Sequence, residues 1–126
     1  MKEITVLKVA PMCVPEVVTL KNDLRSLQEA VSIDAPSVGL IEIVNLDSKT
    51  CIVCNEEAKL LGLQPNRRLG WDILCGVFYI VGQDSKGNLT SLSPKGVERF
   101  KKIFATPEVI DPEEVETTLM AMFYSL

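Results

Sequence analysis

The residues best equipped for chemistry lie between positions 55 and 71, in NEEAKLLGLQPNRRLGW. Asn66, Arg67 and Arg68 set an amide beside two guanidinium groups, and Trp71, the only tryptophan, follows closely. This set could hold a nucleotide-like ligand: a bidentate fork for phosphate, a flat ring for a base, an amide to read an edge. Trp and Arg are also enriched at protein-binding hot spots. Asn55 and Glu57 stand upstream as further polar candidates. Each residue has a local use as well. Asn55 can cap a helix, Gly62 and Pro65 can break the chain, and Asn66 can bond its own backbone in a turn. Lys59 can pair with Glu56 or Glu57, and the two arginines can be a solvated pair.

Other reactive groups are sparse. The four cysteines are Cys13, Cys51, Cys54 and Cys75. Cys51-Ile-Val-Cys54 has redox-pair spacing, but its intervening residues are β-branched and its surroundings read as strand. A zinc site would need all four thiols to converge, because the chain has no histidine. The thiols are therefore expected as core residues, with no metal and no cofactor. Without histidine there is no Ser-His-Asp or Cys-His constellation. Neither Gly-x-Gly-x-x-Gly nor a Walker loop occurs. The acid pairs Glu56-Glu57 and Glu113-Glu114 open helical patterns, where the helix dipole accounts for them. No catalytic residue is assigned.

A chain of 126 residues is one domain by length, with 47% hydrophobic and 24% charged residues. Its net charge of −4 argues against an extended nucleic-acid groove, which has to neutralise phosphates. No apolar run approaches the roughly 18 residues of a membrane span, and the N-terminal residues alternate rather than run. The expected location is the cytoplasm, away from membranes.

The elements that must position these residues follow from periodicity. Residues 3–9 alternate and read as a strand, with 14–20 as its hairpin partner. NDLRSLQEAVS has helical spacing, capped by Asn22 or Asp23. LIEIVNLD and CIVC form a second hairpin. NEEAKLLG reads as a short helix ended by Gly62, LQPNRRLG as a loop, and WDILCGVFYIVG as the central strand, with Gly76 marking a bulge or close approach. A turn at DSKGN leads to a short strand, and Ser93-Pro94 and Asp111-Pro112 start two final helices. The fold class is α+β: a mainly antiparallel sheet built from hairpins with helices packed on one side, ββα-ββα-ββα plus a C-terminal helix. Residues 1–106 form the domain and 107–126 a helical extension.

Residues 54–92 resemble domain-of-unknown-function family 3846, small proteins of phages, plasmids and other mobile elements of bacteria, chiefly Gram-positive. The likeness rests on Ser26-Leu27-Gln28, on Asn55-Glu56-Glu57-Ala58-Lys59-Leu60 with Leu63 and Pro65-Asn66-Arg67, and on Cys75-Gly76-Val77-Phe78-Tyr79-Ile80-Val81-Gly82. It covers about residues 3–104. Ala58 stands where such proteins often have Gly, so this position is expected to be helical rather than a positive-φ turn. The resemblance implies a biological setting and no mechanism.

The expected function is that of a small non-enzymatic binding protein, for counter-defence or host modulation, capturing a host protein or a nucleotide-like ligand around Asn66, Arg67 and Trp71. The alternatives are an enzyme acting on a nucleotide or peptide, and a purely structural or oligomerising module. The C-terminal stretch offers Leu119, Met120, Met122, Phe123 and Leu126 to its own domain or to a second copy.

Overall fold

A computed structural model describes residues 2–124. In chain order the elements are β1 (Glu3–Val9), β2 (Glu16–Lys21), α1 (Leu24–Ala30), β3 (Ile41–Asn45), β4 (Thr50–Asn55), β5 (Pro65–Leu69), β6 (Asp72–Cys75), β7 (Phe78–Gln83), β8 (Leu89–Thr90), α2 (Pro94–Ile103) and α3 (Pro112–Tyr124). The fold is α+β. The main sheet runs β2-β1-β7-β4-β3, with β8 beside the end of β7, and β5-β6 is a separate hairpin. Every pairing is antiparallel.

The helices lie on both faces of the main sheet, not on one as the hairpin pattern implied. On one face Ala30 and Val31 pack with Ile4, Val6, Cys51, Val53, Tyr79 and Val81. On the other, Phe100 and Phe104 of the α2 region cover Leu7, Val9, Ile52, Cys54, Phe78 and Ile80. The reason lies in β4 and β7: β4 is buried throughout, and β7 is buried except at Gln83. A strand apolar at consecutive positions needs cover above and below. The helix starts follow their cap residues. Asp23 accepts from the Ser26 amide, and Ser93 accepts from the Gly96 amide with Pro94 in the first position.

Residues 55–71 and the strand after them fold differently from expectation. WDILCGVFYIVG is two strands, because Gly76 turns the chain at φ +71°. A Cβ there would stand 2.9 Å from Leu63 Cδ1 and 3.2 Å from Asp34 Oδ2. The Gly76 amide donates to the Gln64 carbonyl, and the next amide, Val77, donates to Asp34. So β6 leaves the main sheet while β7 runs through its centre.

NEEAKLLG is a run of turns, not a regular helix. Asn55 belongs to the end of β4, and its Oδ1 accepts from the Glu57 amide at 2.9 Å. Gly62, at φ +67°, closes the far end: its amide donates to the Lys59 carbonyl and the Leu63 amide to the Ala58 carbonyl. That is a Schellman stop. Only one helical turn fits between the two caps. Ala58 does not take a positive φ, and its side chain is buried.

LQPNRRLG is not a loop, because its residues 65–69 are β5. Pro65 pairs with Cys75 and Arg67 with Leu74, leaving Asn66 as a bulge residue. The bulge turns two consecutive side chains inward. The C-terminal region packs on this hairpin: Ile110 and Val115 join Ala58, Ile73 and Cys75 in a small third core. No helix among the described residues is long and apolar enough to cross a membrane.

Candidate functional site

Asn66 and Arg67 are both 0% exposed. The sequence offered them to a ligand or partner, or else placed Asn66 in a turn and Arg67 in a solvated pair with Arg68. Instead they are the polar centre of the β5–β6 corner. Asn66 Nδ2 donates to the carbonyls of Val9 (2.9 Å) and Gly76 (2.8 Å), and Asn66 Oδ1 accepts from Arg67 Nη1 at 2.8 Å. Arg67 Nη2 donates to the Cys13 carbonyl at 2.6 Å and to Phe104 at 3.1 Å, with Nε reaching Phe104 at 3.3 Å. Phe104 is the C-cap of α2, where the helix dipole favours a cation. Burial lowers the Arg67 pKa, and the charge of Glu108 opposes that shift. The guanidinium therefore joins the β1–β2 turn, β5 and the end of α2, while Asn66 holds the end of β1 to Gly76.

The neighbouring residues point elsewhere. Arg68 is half exposed and forms ion pairs with Glu114 (2.6 Å) and Glu108 (3.6 Å), while its amide donates to Glu108. The hydrogen bonds from Arg68 hold the Glu114 carboxyl below its usual pKa and raise that of Arg68. Trp71 is 70% exposed at the β5–β6 turn. Asn55 is buried against Val31 and Gly39, and Glu57 is exposed. The expected set is thus divided: Asn66 and Arg67 inside, Arg68 paired with Glu108 and Glu114, and Trp71 in solvent.

A different group converges beside the hairpin. A groove of about 230 Å³ runs between the 56–62 turns, β6 and α3. Its walls include Ala58, Leu60, Ile73, Leu74, Leu119 and Met122, and Glu42, Glu56, Lys59 and Asp72 supply its charges. Lys59 pairs with Asp72, not with Glu56 or Glu57, and its Nζ lies 3.9 Å from Met122 Sδ. Leu60 is 69% exposed at the rim, and Trp71 precedes Asp72. Met120 is exposed on α3. The side chain of Phe123 and all of Leu126 lie outside the described residues. Sequence reasoning missed this groove because Lys59 and Asp72 meet across 13 positions, and nothing local signals it.

Elsewhere the clustered polar groups serve local structure. A wider cleft of about 800 Å³ separates the β3–β4 and β7–β8 turns. Its carboxylates serve the turns: Asp47 accepts from the Lys49 amide and pairs with Arg99, and Asp84 accepts from Lys86 and Asn88. Cys51 and Cys54 face opposite sides of the sheet. Burial pushes the Cys54 thiol up to about 12 and that of Cys75 to about 11. Both are poor nucleophiles at neutral pH. Tyr79, pushed by burial to about 12, donates to the Ala30 carbonyl at 3.0 Å. Among the described residues, no three His, Cys, Asp or Glu side chains are grouped to hold a metal ion.

The family model described as Domain of unknown function (DUF3846) matches residues 2–105. The chain belongs to this family. No curated protein and no solved structure matches it. The matched span holds the whole main sheet, the β5–β6 corner with Asn66 and Arg67, and the ends of α2. α3, which forms one wall of the groove, lies beyond the matched residues.

Proposed function

We propose that this family member is a non-enzymatic binding protein of the bacterial cytoplasm, acting in a phage or mobile-element setting by capturing a protein partner. The observation that carries the reading is the groove beside the β5–β6 hairpin. It is apolar along its walls, with exposed Leu60 at its rim and exposed Trp71 one residue before Asp72. Its charged residues are Glu42, Glu56, Asp72 and Lys59, an acidic excess once Lys59 has paired with Asp72. A matching partner carries an apolar side chain flanked by Lys or Arg, the pattern of an anchor residue with steering charges. Capture of a nucleotide has less support. The arginine and amide that would read it are fully buried and already hydrogen-bonded.

The test is native mass spectrometry of the full chain purified from a bacterial host, beside Leu60→Glu and Trp71→Ala variants. A stoichiometric protein partner in the wild type that both variants lose supports the reading. A released small molecule, a partner unaffected by both variants, or substrate turnover overturns it. Trp71→Ala is expected to stay within about 0.5 kcal/mol of wild-type stability, so lost binding would not reflect unfolding.

A further inference from the structure

The two edges of the main sheet are unequal. β2 is preceded by Pro15 and ends in Lys21, residues that blunt an edge. β3, the opposite edge, reads Ile41-Glu42-Ile43-Val44-Asn45, with no Pro, no Lys and one acid. Ile43 is exposed within it, and Val38 and Leu40 are exposed in the segment that leads into it.

The register shows which backbone groups β3 offers. The Glu56 amide donates to the Leu40 carbonyl, and the Leu46 amide donates to the Thr50 carbonyl, both at 3.0 Å. Even-numbered residues therefore bond inward to β4, as the thiol of Cys54 on the Glu42 carbonyl also indicates. The N–H and C=O groups of Ile41, Ile43 and Asn45 point away from β4. No strand lies on that side among the described residues.

We propose that a second copy of this chain pairs along this edge, β3 against β3 in antiparallel sense about a two-fold axis at Ile43. That register sets Ile43 opposite Ile43 and Ile41 opposite Asn45, so all three outward residues of each strand find donors and acceptors. Such self-complementarity is what a two-fold interface requires. Glu42 falls opposite Val44, and the two Glu42 residues sit on a diagonal, about 7–8 Å apart at their backbones. The exposed Ile43 side chains meet on one face. The pairing joins two sheets into one continuous sheet, and Glu42, which also lines the groove beside β5–β6, lies at the seam.

Sedimentation of the full chain over a concentration series, with amide hydrogen exchange followed by NMR, tests this directly. The expected wild type dimerises, and its Ile43 amide exchanges slowly only where the dimer is populated. Ile43→Lys sets two cations opposite each other and weakens dimerisation by about tenfold or more. Ile43→Pro removes an N–H that no intramolecular bond uses, and blocks pairing in the same way. Trp71→Ala leaves the dimer unchanged. A wild type that stays monomeric to millimolar concentration overturns the proposal. So does a dimer in which the Ile43 amide exchanges fast, a result that depends on no variant folding.

Discussion

Between β4 and β7 the interior is apolar on both faces, built from the aliphatic Ile52, Val53, Ile80 and Val81 with Phe78 and Tyr79 among them. Beneath β5 it is a guanidinium, an amide and a ring of backbone carbonyls. Both regions exclude water, yet different forces hold them. Apolar burial is non-directional, so the first region tolerates a change of side chain if volume is kept. The second depends on donors aimed at particular acceptors, and a buried polar network that loses one member is worse than no network. The difference also separates their tasks. The aliphatic region makes the sheet, while the polar corner joins the β1–β2 turn, the Gly76 pivot and the end of α2 at one point.

The sharpest way to break this comparison is to remove one side chain from each interior. Arg67→Ala strips the donors from the carbonyls of Cys13 and Phe104 and from Asn66 Oδ1. Its expected cost in urea denaturation is about 3–5 kcal/mol. Ile52→Val in the aliphatic region is expected to cost only about 0.5–1.5 kcal/mol. Arg67→Lys keeps the charge but not the planar fork, and should fall between the two. Equal losses for Arg67→Ala and Ile52→Val would erase the distinction.

The next test concerns the joint between the two regions. Gly76→Ala adds a methyl at φ +71° and 2.9 Å from Leu63 Cδ1. A loss of about 1–3 kcal/mol is expected from strain, measured by thermal unfolding. Gly87→Ala, at φ +83° in the β7–β8 turn, meets nothing within 4 Å. It carries the backbone penalty alone, about 1 kcal/mol. The gap between the two variants measures how tightly the pivot is packed.

How far the sequence revealed this arrangement follows the same division. The aliphatic region was legible: alternation marked β1 and β3, apolar runs marked β4 and β7, and the Ser93-Pro94 and Asp111-Pro112 starts marked α2 and α3. The polar corner was not. PNRRL has turn-forming residues and no apolar alternation, so it read as loop, although its bulge pairs it with DILC. Gly76 was noted as a possible close approach, but the run around it continues unbroken in hydrophobicity, and only the positive φ divides it. Arg67 read as a surface group because charged residues are rarely fully buried. The carbonyls that satisfy it come from residues 13, 66 and 104, which no local pattern connects. The Arg68 contacts with Glu108 and Glu114 are long-range in the same way, although the acidic run at 108–116 was visible.

The smallest expected effect lies at Arg68, where the polar corner meets α3. Its pair with Glu114 is exposed, so it guides the docking of one helix rather than the stability of the whole fold. The Glu114 carboxyl is held below its ordinary value of 4.5 by the hydrogen bond from Arg68. A depressed carboxyl stabilises the state that holds it at pH above the ordinary value. That contribution is lost as pH falls through the depressed value. Protection factors of α3 amides, each referred to the unfolded-chain exchange rate at the same pH, should therefore fall below about pH 4.5 at low salt, while the amides of β4 and β7 stay protected. Arg68→Ala should show the faster α3 exchange already at neutral pH, with little further change on acidification. If α3 protection were flat across the titration and equal in the variant, docking would rest on apolar contacts such as those of Ile110 and Val115. The third core would then belong with the aliphatic region, and the polar corner would end at Arg67.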